Sequence, residues 1–145
     1  MARVGTVACV LGLLAGLAGC GGEIAPEVSI KSDGGCVDDS VACIAKRQAT
    51  LRAMLADRDR RWVRETAGAN AYAGGVRLFA FKTRKRELSC PELVAGRREA
   101  EAGPAVLRGP AGKHLTPAQV SRGVMLSTEV SRELGGELKR RRCPA

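Results

Sequence analysis

The sequence is poor in aromatic residues: its 145 residues include one Trp, one Tyr and two Phe, about 3% of the chain. Proteins that hold single-stranded nucleic acid stack the bases on aromatic side chains. This scarcity therefore argues against a nucleic-acid partner, in spite of the net charge of +9. Ala, Leu, Arg and Glu are abundant instead, and these residues favour helix over strand. We expect an all-α protein with no nucleic acid as a partner.

The sequence also has few candidates for catalysis. Its single histidine, His114, lies beside Lys113 in a stretch rich in Gly and Pro, and Thr116 is the nearest hydroxyl that could pair with it. Nucleophilic catalysis and histidine metal sites both need further partners. Asp57 and Asp59 stand two residues apart on a predicted helix and therefore point in different directions. We expect no catalytic residue, no metal and no cofactor, and hence a protein that is not an enzyme.

The apolar run near the N-terminus is short. It extends from Val4 to Leu17 after the basic start Met1-Ala2-Arg3, whereas a membrane-spanning helix needs about 20 apolar residues. A charged start, a short apolar stretch and small residues before a cleavage site are typical of a secretory signal peptide. We therefore predict an exported protein.

The end of this run, Leu17-Ala18-Gly19-Cys20, resembles the lipobox of bacterial lipoproteins. The resemblance implies cleavage before Cys20 and attachment of fatty acyl chains, such as palmitate, to its thiol. Gly21 stands where an aspartate would retain such a protein at the inner membrane of enteric bacteria. The resemblance therefore implies a lipid-anchored protein of the cell envelope, at the outer membrane and facing the periplasm. It covers only the first twenty or so residues and does not extend to the folded part.

Composition divides the chain into three parts. Residues 1–19 are the predicted lipoprotein signal peptide, and 20–35 are the lipidated cysteine and a tether rich in Gly, Ser, Pro and charge. Residues 36–145 are a single predicted helical domain, since the 126 residues left after cleavage suffice for one core. Removal of Arg3 with the signal lowers the net charge to about +8.

Four segments have helical signals. The first helix is predicted over about 39–64, with Ile44, Leu51 and Leu55 at helical spacing and Trp62 expected in the core. The second is predicted over 71–85, although two consecutive glycines weaken it by about 1 kcal/mol each.

The third and fourth helices have clearer start signals. Ser89 and Glu92 form a capping box with Pro91 in the first turn, and this helix is predicted to end near Gly103-Pro104. Thr116-Pro117 repeats the signal. The apolar stripe that follows has a 3.6-residue period and comprises Val120, Val124, Ser127, Val130, Leu134 and Leu138. We predict a small four-helix bundle, with up-down-up-down order, from the short connections.

Four cysteines remain after the signal and the lipidated Cys20 are set aside: Cys36, Cys43, Cys90 and Cys143. An even number of cysteines in an oxidising compartment predicts two disulfides. A zinc site is the alternative, but the spacing lacks the closely paired cysteines of such sites. In an up-down-up-down bundle all four would meet at one pole. Of the three possible pairings we favour Cys43 with Cys90 and Cys36 with Cys143.

The same arrangement would bring two basic clusters to that pole, where the tether would also leave. They end the second and fourth predicted helices and comprise Lys82, Arg84, Lys85 and Arg86, and Lys139, Arg140, Arg141 and Arg142. Cations at helix C-termini can simply stabilise their own helices, through favourable interaction with the helix dipole. Alternatively, this basic pole faces an anionic lipid surface or wall polymer, where each cation contributes about 1 kcal/mol.

Together these features predict a non-catalytic binding or accessory module of the bacterial envelope. The expected partners are the membrane, through the lipid anchor, and an envelope protein, an anionic lipid or a wall polymer. A small cell-wall-directed hydrolase is an alternative that would need a polar cleft with converging titratable groups. An inhibitor of a wall-degrading enzyme is another, which an acidic or aromatic loop would support.

Overall fold

The computed structural model of the chain describes residues 36–144. These residues form helices and no strand, so the predicted all-α class is confirmed for this part of the chain. In chain order the helices are α1 (Val41–Ala56), α2 (Ala69–Gly74), α3 (Val76–Arg84), α4 (Cys90–Arg108) and α5 (Pro117–Arg140). Short 3-10 turns cover Arg61–Arg64 and Pro110–Gly112. Within the described part of the chain, no helix is both long and apolar enough to cross a bilayer.

Both predicted start signals are present as capping boxes. Ser89 Oγ accepts the backbone N–H of Glu92 at 3.4 Å, and a Glu92 carboxylate oxygen accepts the N–H of Ser89 at 2.7 Å. Thr116 and Gln119 repeat the arrangement at 3.3 and 2.8 Å. Each box satisfies two backbone donors that a helix N-terminus leaves without partners. The starts of α4 and α5 are therefore fixed locally.

The first helix is shorter than predicted, because α1 ends at Ala56 and not near residue 64. The Asp57 carboxylate accepts the backbone N–H groups of Asp59 at 3.2 Å and Arg61 at 2.9 Å. Arg60 has a left-handed backbone, with φ +47°, which cannot continue a right-handed helix. The chain then turns back, and Trp62 is completely buried in the core, as expected.

The second predicted helix is divided in two at Gly75. This residue has φ +72°, a conformation that side chains rarely adopt, and it ends α2 and begins α3. A Cβ at Gly75 would also lie 2.6 Å from Leu126 Cδ2 of α5. The glycine is thus needed both for the turn and for the close approach of α5.

The third helix continues past the predicted end. α4 contains Pro104 and extends to Arg108, although proline within a helix costs about 3 kcal/mol. Leu107, in the added turn, is 1% exposed and packs where Gly123 of α5 leaves room. Burial of this leucine and the contacts of α4 with α5 offset the loss of one helical hydrogen bond.

The core lies where α3, α4 and α5 meet, and Trp62 packs edge-on against Phe81 with ring centroids 4.8 Å apart. The predicted stripe of α5 is confirmed: Ser127, Val130, Leu134 and Leu138 are buried, and Val120 and Val124 pack against the core. The predicted face of α1 is confirmed in part: Leu51 and Leu55 pack against the core, whereas Ile44 is exposed. The fully buried residues of this helix are Cys43, Thr50 and Met54.

A buried ion pair ties the returning segment to this core. Arg77, 1% exposed, donates from Nε to the two Glu99 carboxylate oxygens at 2.7 and 2.8 Å. Its other nitrogens donate to the backbone carbonyls of Trp62, Val63 and Glu65. Burial raises the pKa of Glu99, and the guanidinium opposes that rise. The pair thus fixes the segment that follows α1 against α3 and α4.

The helix directions follow from contacts at the two ends of the molecule. At one end, Gly74 lies against Cys36, and Gln119 donates to the Val37 carbonyl at 3.1 Å. At the other end, Arg84 donates to the Leu55 carbonyl. Helices α1, α3 and α5 therefore run in one direction and α4 in the opposite direction. This does not confirm the predicted up-down-up-down order, because residues 57–68 carry the chain back before α2 begins.

Both disulfides form, but the favoured pairing was wrong: Cys36 bonds Cys43, and Cys90 bonds Cys143. Because α1 is parallel to α5, its start lies beside the start of α5 and far from the start of α4. The two disulfides therefore lie at opposite ends, here named the Cys36 end and the Cys90 end. The predicted meeting of all four cysteines at one pole does not occur.

Candidate functional site

The two predicted basic clusters do lie together, at the Cys90 end. Lys82 of α3 contacts Glu129 of α5 at 2.6 Å and Glu133 at 3.2 Å, and Lys85 contacts Glu133 at 2.5 Å. These contacts align the C-terminal halves of α3 and α5. The N-terminal end of the described chain is not there, since Cys36 lies at the opposite end.

Four of the eight predicted cations are neutralised by carboxylates of the same surface. Besides Lys82 and Lys85, Arg84 pairs with Glu87 at 2.5 Å, and Arg140 pairs with Glu137. The hydrogen bond from Arg140 lowers the pKa of Glu137, and those from the two lysines lower the pKa of Glu133. These carboxylates therefore remain ionised at neutral pH, and their pairs add little net charge.

The other four cations form no salt bridge within 4 Å among residues 36–144: Arg86, Lys139, Arg141 and Arg142. Arg141 and Arg86 nevertheless help to lower the pKa of Glu137. Arg141 donates to the Leu88 carbonyl and so also ties α5 to the start of α4. All four residues are exposed. The Cys90 end thus carries an excess of positive charge after its ion pairs are counted.

A groove between α4 and α5 opens at this end, with a volume of about 390 Å³. Val94, Leu138 and Pro144 contribute apolar surface, and the rim bears Arg97, Arg98, Lys139 and Arg142 together with Glu101. A second hollow continues from it past Pro91 and Ala95, sharing Val94, Arg98 and Pro144. The groove thus combines an apolar floor with a mainly basic rim.

The sequence gives no signal that Arg97 and Arg98 belong to a site. Val94 and Arg98 stand four residues apart, a spacing that places them on one helical face. Nothing in the sequence indicates that this face meets Gly135 and Lys139 of α5. The missing signal is the antiparallel register of the two helices, which the Cys90–Cys143 disulfide fixes.

The other candidate residues lie away from this groove. His114 Nε2 is 2.5 Å from Asn70 Oδ1, on an exposed loop near the start of α5. Cys36, Asp38 and Cys43 place possible metal-ligating atoms within 4.8 Å of one another. The two sulfurs are bonded to each other, so neither is available there as a thiolate.

The predicted signal peptide (1–19) and the predicted lipidated cysteine and tether (20–35) lie outside the described residues. Their interpretation therefore rests on the sequence alone.

Comparison of the chain with protein-family models, with curated proteins and with solved structures found no match. The inference of function therefore depends on the sequence and on the geometry of residues 36–144.

Proposed function

We propose that the chain is a lipid-anchored protein of the bacterial envelope that acts as a non-catalytic binding module. Its Cys90 end contacts an anionic lipid surface or wall polymer. The observation that carries this proposal is the group of exposed cations Arg86, Lys139 and Arg142, which form no salt bridge among residues 36–144. Positive charge of this kind attracts anionic surfaces.

The anchor and the basic surface can act on the same membrane. Residue 36 lies at the opposite end of the domain from the basic surface. From Gln119, which contacts Val37, to Lys139 helix α5 rises about 30 Å, at about 1.5 Å per residue. The segment between Cys20 and Cys36 can span at most about 50 Å. A tether of that length allows the Cys90 end to reach the bilayer that holds the acyl chains.

The first experiment measures binding to anionic surfaces. Sedimentation with vesicles of phosphatidylglycerol and phosphatidylcholine, and separately with purified sacculi, compares the protein with its Arg86→Ala/Lys139→Ala/Arg142→Ala variant. At about 1 kcal/mol per cation, binding should weaken by up to about 100-fold. Arg52→Ala/Arg108→Ala/Lys113→Ala removes the same charge elsewhere and serves as the control.

Unchanged binding of the first variant to both surfaces would contradict the proposal. Equal losses in the two variants would also contradict it, because net charge alone would then explain the effect. Loss on sacculi alone would identify a wall polymer as the partner.

The anchor has its own test. Metabolic labelling with a palmitate analogue should label the wild-type chain and not Cys20→Ser, and only the labelled protein should fractionate with the outer membrane. Labelling that persists in Cys20→Ser, or its absence from both proteins, is the contrary result.

The length of the tether distinguishes the two possible targets. Deletion of residues 23–32 leaves a maximum span of about 20 Å, less than the rise of α5 that must be bridged. Contact of the Cys90 end with the anchoring membrane should then be lost, as judged by a photocrosslinker placed at Lys139. Replacing 23–32 by Gly and Ser, at equal length, should retain the contact. Crosslinking to lipid that survives the deletion would show that the contact does not depend on the tether, and would refute this account of how the Cys90 end reaches the anchoring membrane.

A further inference from the structure

The groove between α4 and α5 differs from the rest of the basic surface because it is concave and partly apolar. Its volume of about 390 Å³ falls within the range of pockets that hold small molecules. It opens beside the Cys90–Cys143 disulfide, which joins the start of α4 to the end of α5. Because this bond holds both walls, the groove is formed before any ligand arrives.

The rim of the groove suits an anion. Arg98, Lys139 and Arg142 line it and have no acidic partner among residues 36–144. Arg97, also on the rim, donates to Glu101 at 2.7 Å, so the one carboxylate that lines the groove is already paired. Guanidinium groups bind phosphate with two parallel hydrogen bonds, and an ammonium binds it as a point charge.

The floor of the groove suits an apolar chain. Val94, Leu138 and Pro144 line it, and the second hollow extends this surface past Ala95 and Pro91 towards the Cys90 end. Gly135 lines the groove without a side chain, and a Cβ there would make only an ordinary contact, 3.8 Å from the Arg97 guanidinium carbon, so a larger side chain at this position would extend into the groove. The groove can therefore hold an anionic group at its rim and an apolar tail on its floor.

We infer that this groove binds one anionic lipid, with its phosphate at the basic rim and the first part of its acyl chain on the apolar floor. This inference rests on the proposed function and names the ligand class for the same end of the molecule. The groove opens where the exposed cations would meet an anionic bilayer. A lipid of that bilayer can thus enter the groove while the Cys90 end faces the bilayer. A flat surface of cations, by contrast, would bind the bilayer without holding an individual lipid molecule.

The test uses the chain expressed for export with Cys20→Ser, so that both disulfides form and no attached acyl chain competes. The probe is monomeric lysophosphatidylglycerol, with lysophosphatidylcholine for comparison, and calorimetry measures its binding. Gly135→Leu fills the groove without changing charge. Gly136→Leu is its control, because a Cβ at that neighbouring position meets nothing within 4 Å.

We expect Gly135→Leu to weaken binding of the anionic probe by at least about tenfold, because its side chain occupies the apolar floor. Arg98→Ala/Arg142→Ala should weaken it by at least about tenfold through lost charged hydrogen bonds. Gly136→Leu and Arg52→Ala/Arg108→Ala should bind as the wild type does, and lysophosphatidylcholine should bind more weakly. If Gly135→Leu does not fold, as judged by circular dichroism, the two arginine pairs decide the result.

Equal binding by wild type and a folded Gly135→Leu would overturn the inference, as would equal losses in the two arginine pairs. So would binding of the acidic peptide Ac-Glu-Leu-Glu-NH2, with the same dependence on the variants, in place of the lipid. Sedimentation with phosphatidylglycerol vesicles separates the two proposals. If vesicles bind while the monomeric probe does not, the lipid groove is wrong and the basic surface stands. If neither binds, membrane binding by this end fails as well.

Discussion

Replacement of Arg77 by methionine should destabilise the fold more than any single exposed change. Its guanidinium is buried between the Glu99 carboxylate and three backbone carbonyls of the segment that follows α1. Methionine retains much of the aliphatic volume and removes every one of these donors. The change therefore tests the polar contacts of Arg77 more than its packing.

The size of the effect follows from the buried polar groups that lose their partner when Arg77 is replaced. Removing one partner of a buried ion pair costs about 3–5 kcal/mol, because the other charge remains buried without compensation. Glu99 can escape part of that cost by binding a proton, and burial already raises its pKa. The three carbonyls lose their donor as well, at about 1–3 kcal/mol for each group that water cannot reach. We expect a net loss of about 4 kcal/mol, a large part of the 5–15 kcal/mol that is typical of domains.

Urea unfolding at pH 7, with the disulfides intact, measures this loss. Arg97→Met is the matched control, since it breaks an exposed pair with Glu101 whose contribution should be about 0.5 kcal/mol or less. Arg77→Lys keeps the charge and loses the forked geometry, so its stability should fall between those of Arg77→Met and the wild type. A loss below about 1 kcal/mol in Arg77→Met, or a loss no larger than in Arg97→Met, would refute the reasoning.

Three further changes test the packing, the covalent link and the electrostatics. In thermal unfolding, Gly103→Ala should cost about 1–3 kcal/mol, because its Cβ would overlap side chains of α2 and α5. Gly136→Ala places a Cβ in open space within helix α5 and should raise the free energy of unfolding by about 0.5–1 kcal/mol. Equal changes in stability for the two variants would contradict the close packing around Gly103. Replacing Cys90 and Cys143 by Ser opens a link between residues 53 apart; the chain-entropy model gives about 4 kcal/mol in urea unfolding, and a loss under about 1 kcal/mol would count against it. Lys85 and Lys82 hold the pKa of Glu133 below its usual 4.5, so the unfolded chain binds this proton more readily than the folded protein. Stability present above about pH 4.5 is then lost as the pH falls through the lowered folded pKa. Glu133→Gln should make the acid-unfolding curve shallower there, and an unchanged slope would exclude the effect.

The parts of the fold that the sequence predicts are those with local causes. The capping boxes at Ser89 and Thr116 involve residues three apart, and the stripe of α5 needs only its own period. The number of disulfides follows from counting cysteines and from the predicted export. Each of these signals is contained within one helix or in the composition.

The parts that it does not predict have causes distant in the chain. The charged run after α1 is compatible with helix, yet Arg60 pairs with Glu92 of α4 at 2.8 Å, and Trp62 is drawn into the core. These tertiary contacts end the helix and reverse the chain. The reversal makes α1 parallel to α3 and thereby separates the two disulfides. One misplaced helix end thus changes the predicted pairing of every cysteine.

The same distinction applies to the candidate site. The sequence identifies the basic residues that end α3 and α5, because like charges in a row are visible without a structure. It cannot show that half of them are paired, since Glu129 and Glu133 contact lysines more than 40 residues away. It also cannot show the groove, which exists only where two antiparallel helices bring Arg98 and Lys139 to one rim.

The separation of the two ends has a consequence for how an anchored protein of this kind would work. Had the tether left from the basic end, as we expected, attachment alone would have held those cations against the membrane. With Cys36 at the other end, an anchored domain can stand with its groove turned away from the bilayer, or turn over so that the groove faces the lipid and Cys36 lies about 30 Å from it. The span of the tether, about 50 Å at most, permits both positions. Which position is occupied then depends on the affinity of the Cys90 end for lipid, and not on the anchor. A lipid bound in the groove, as inferred above, would favour the orientation in which the Cys90 end faces the bilayer.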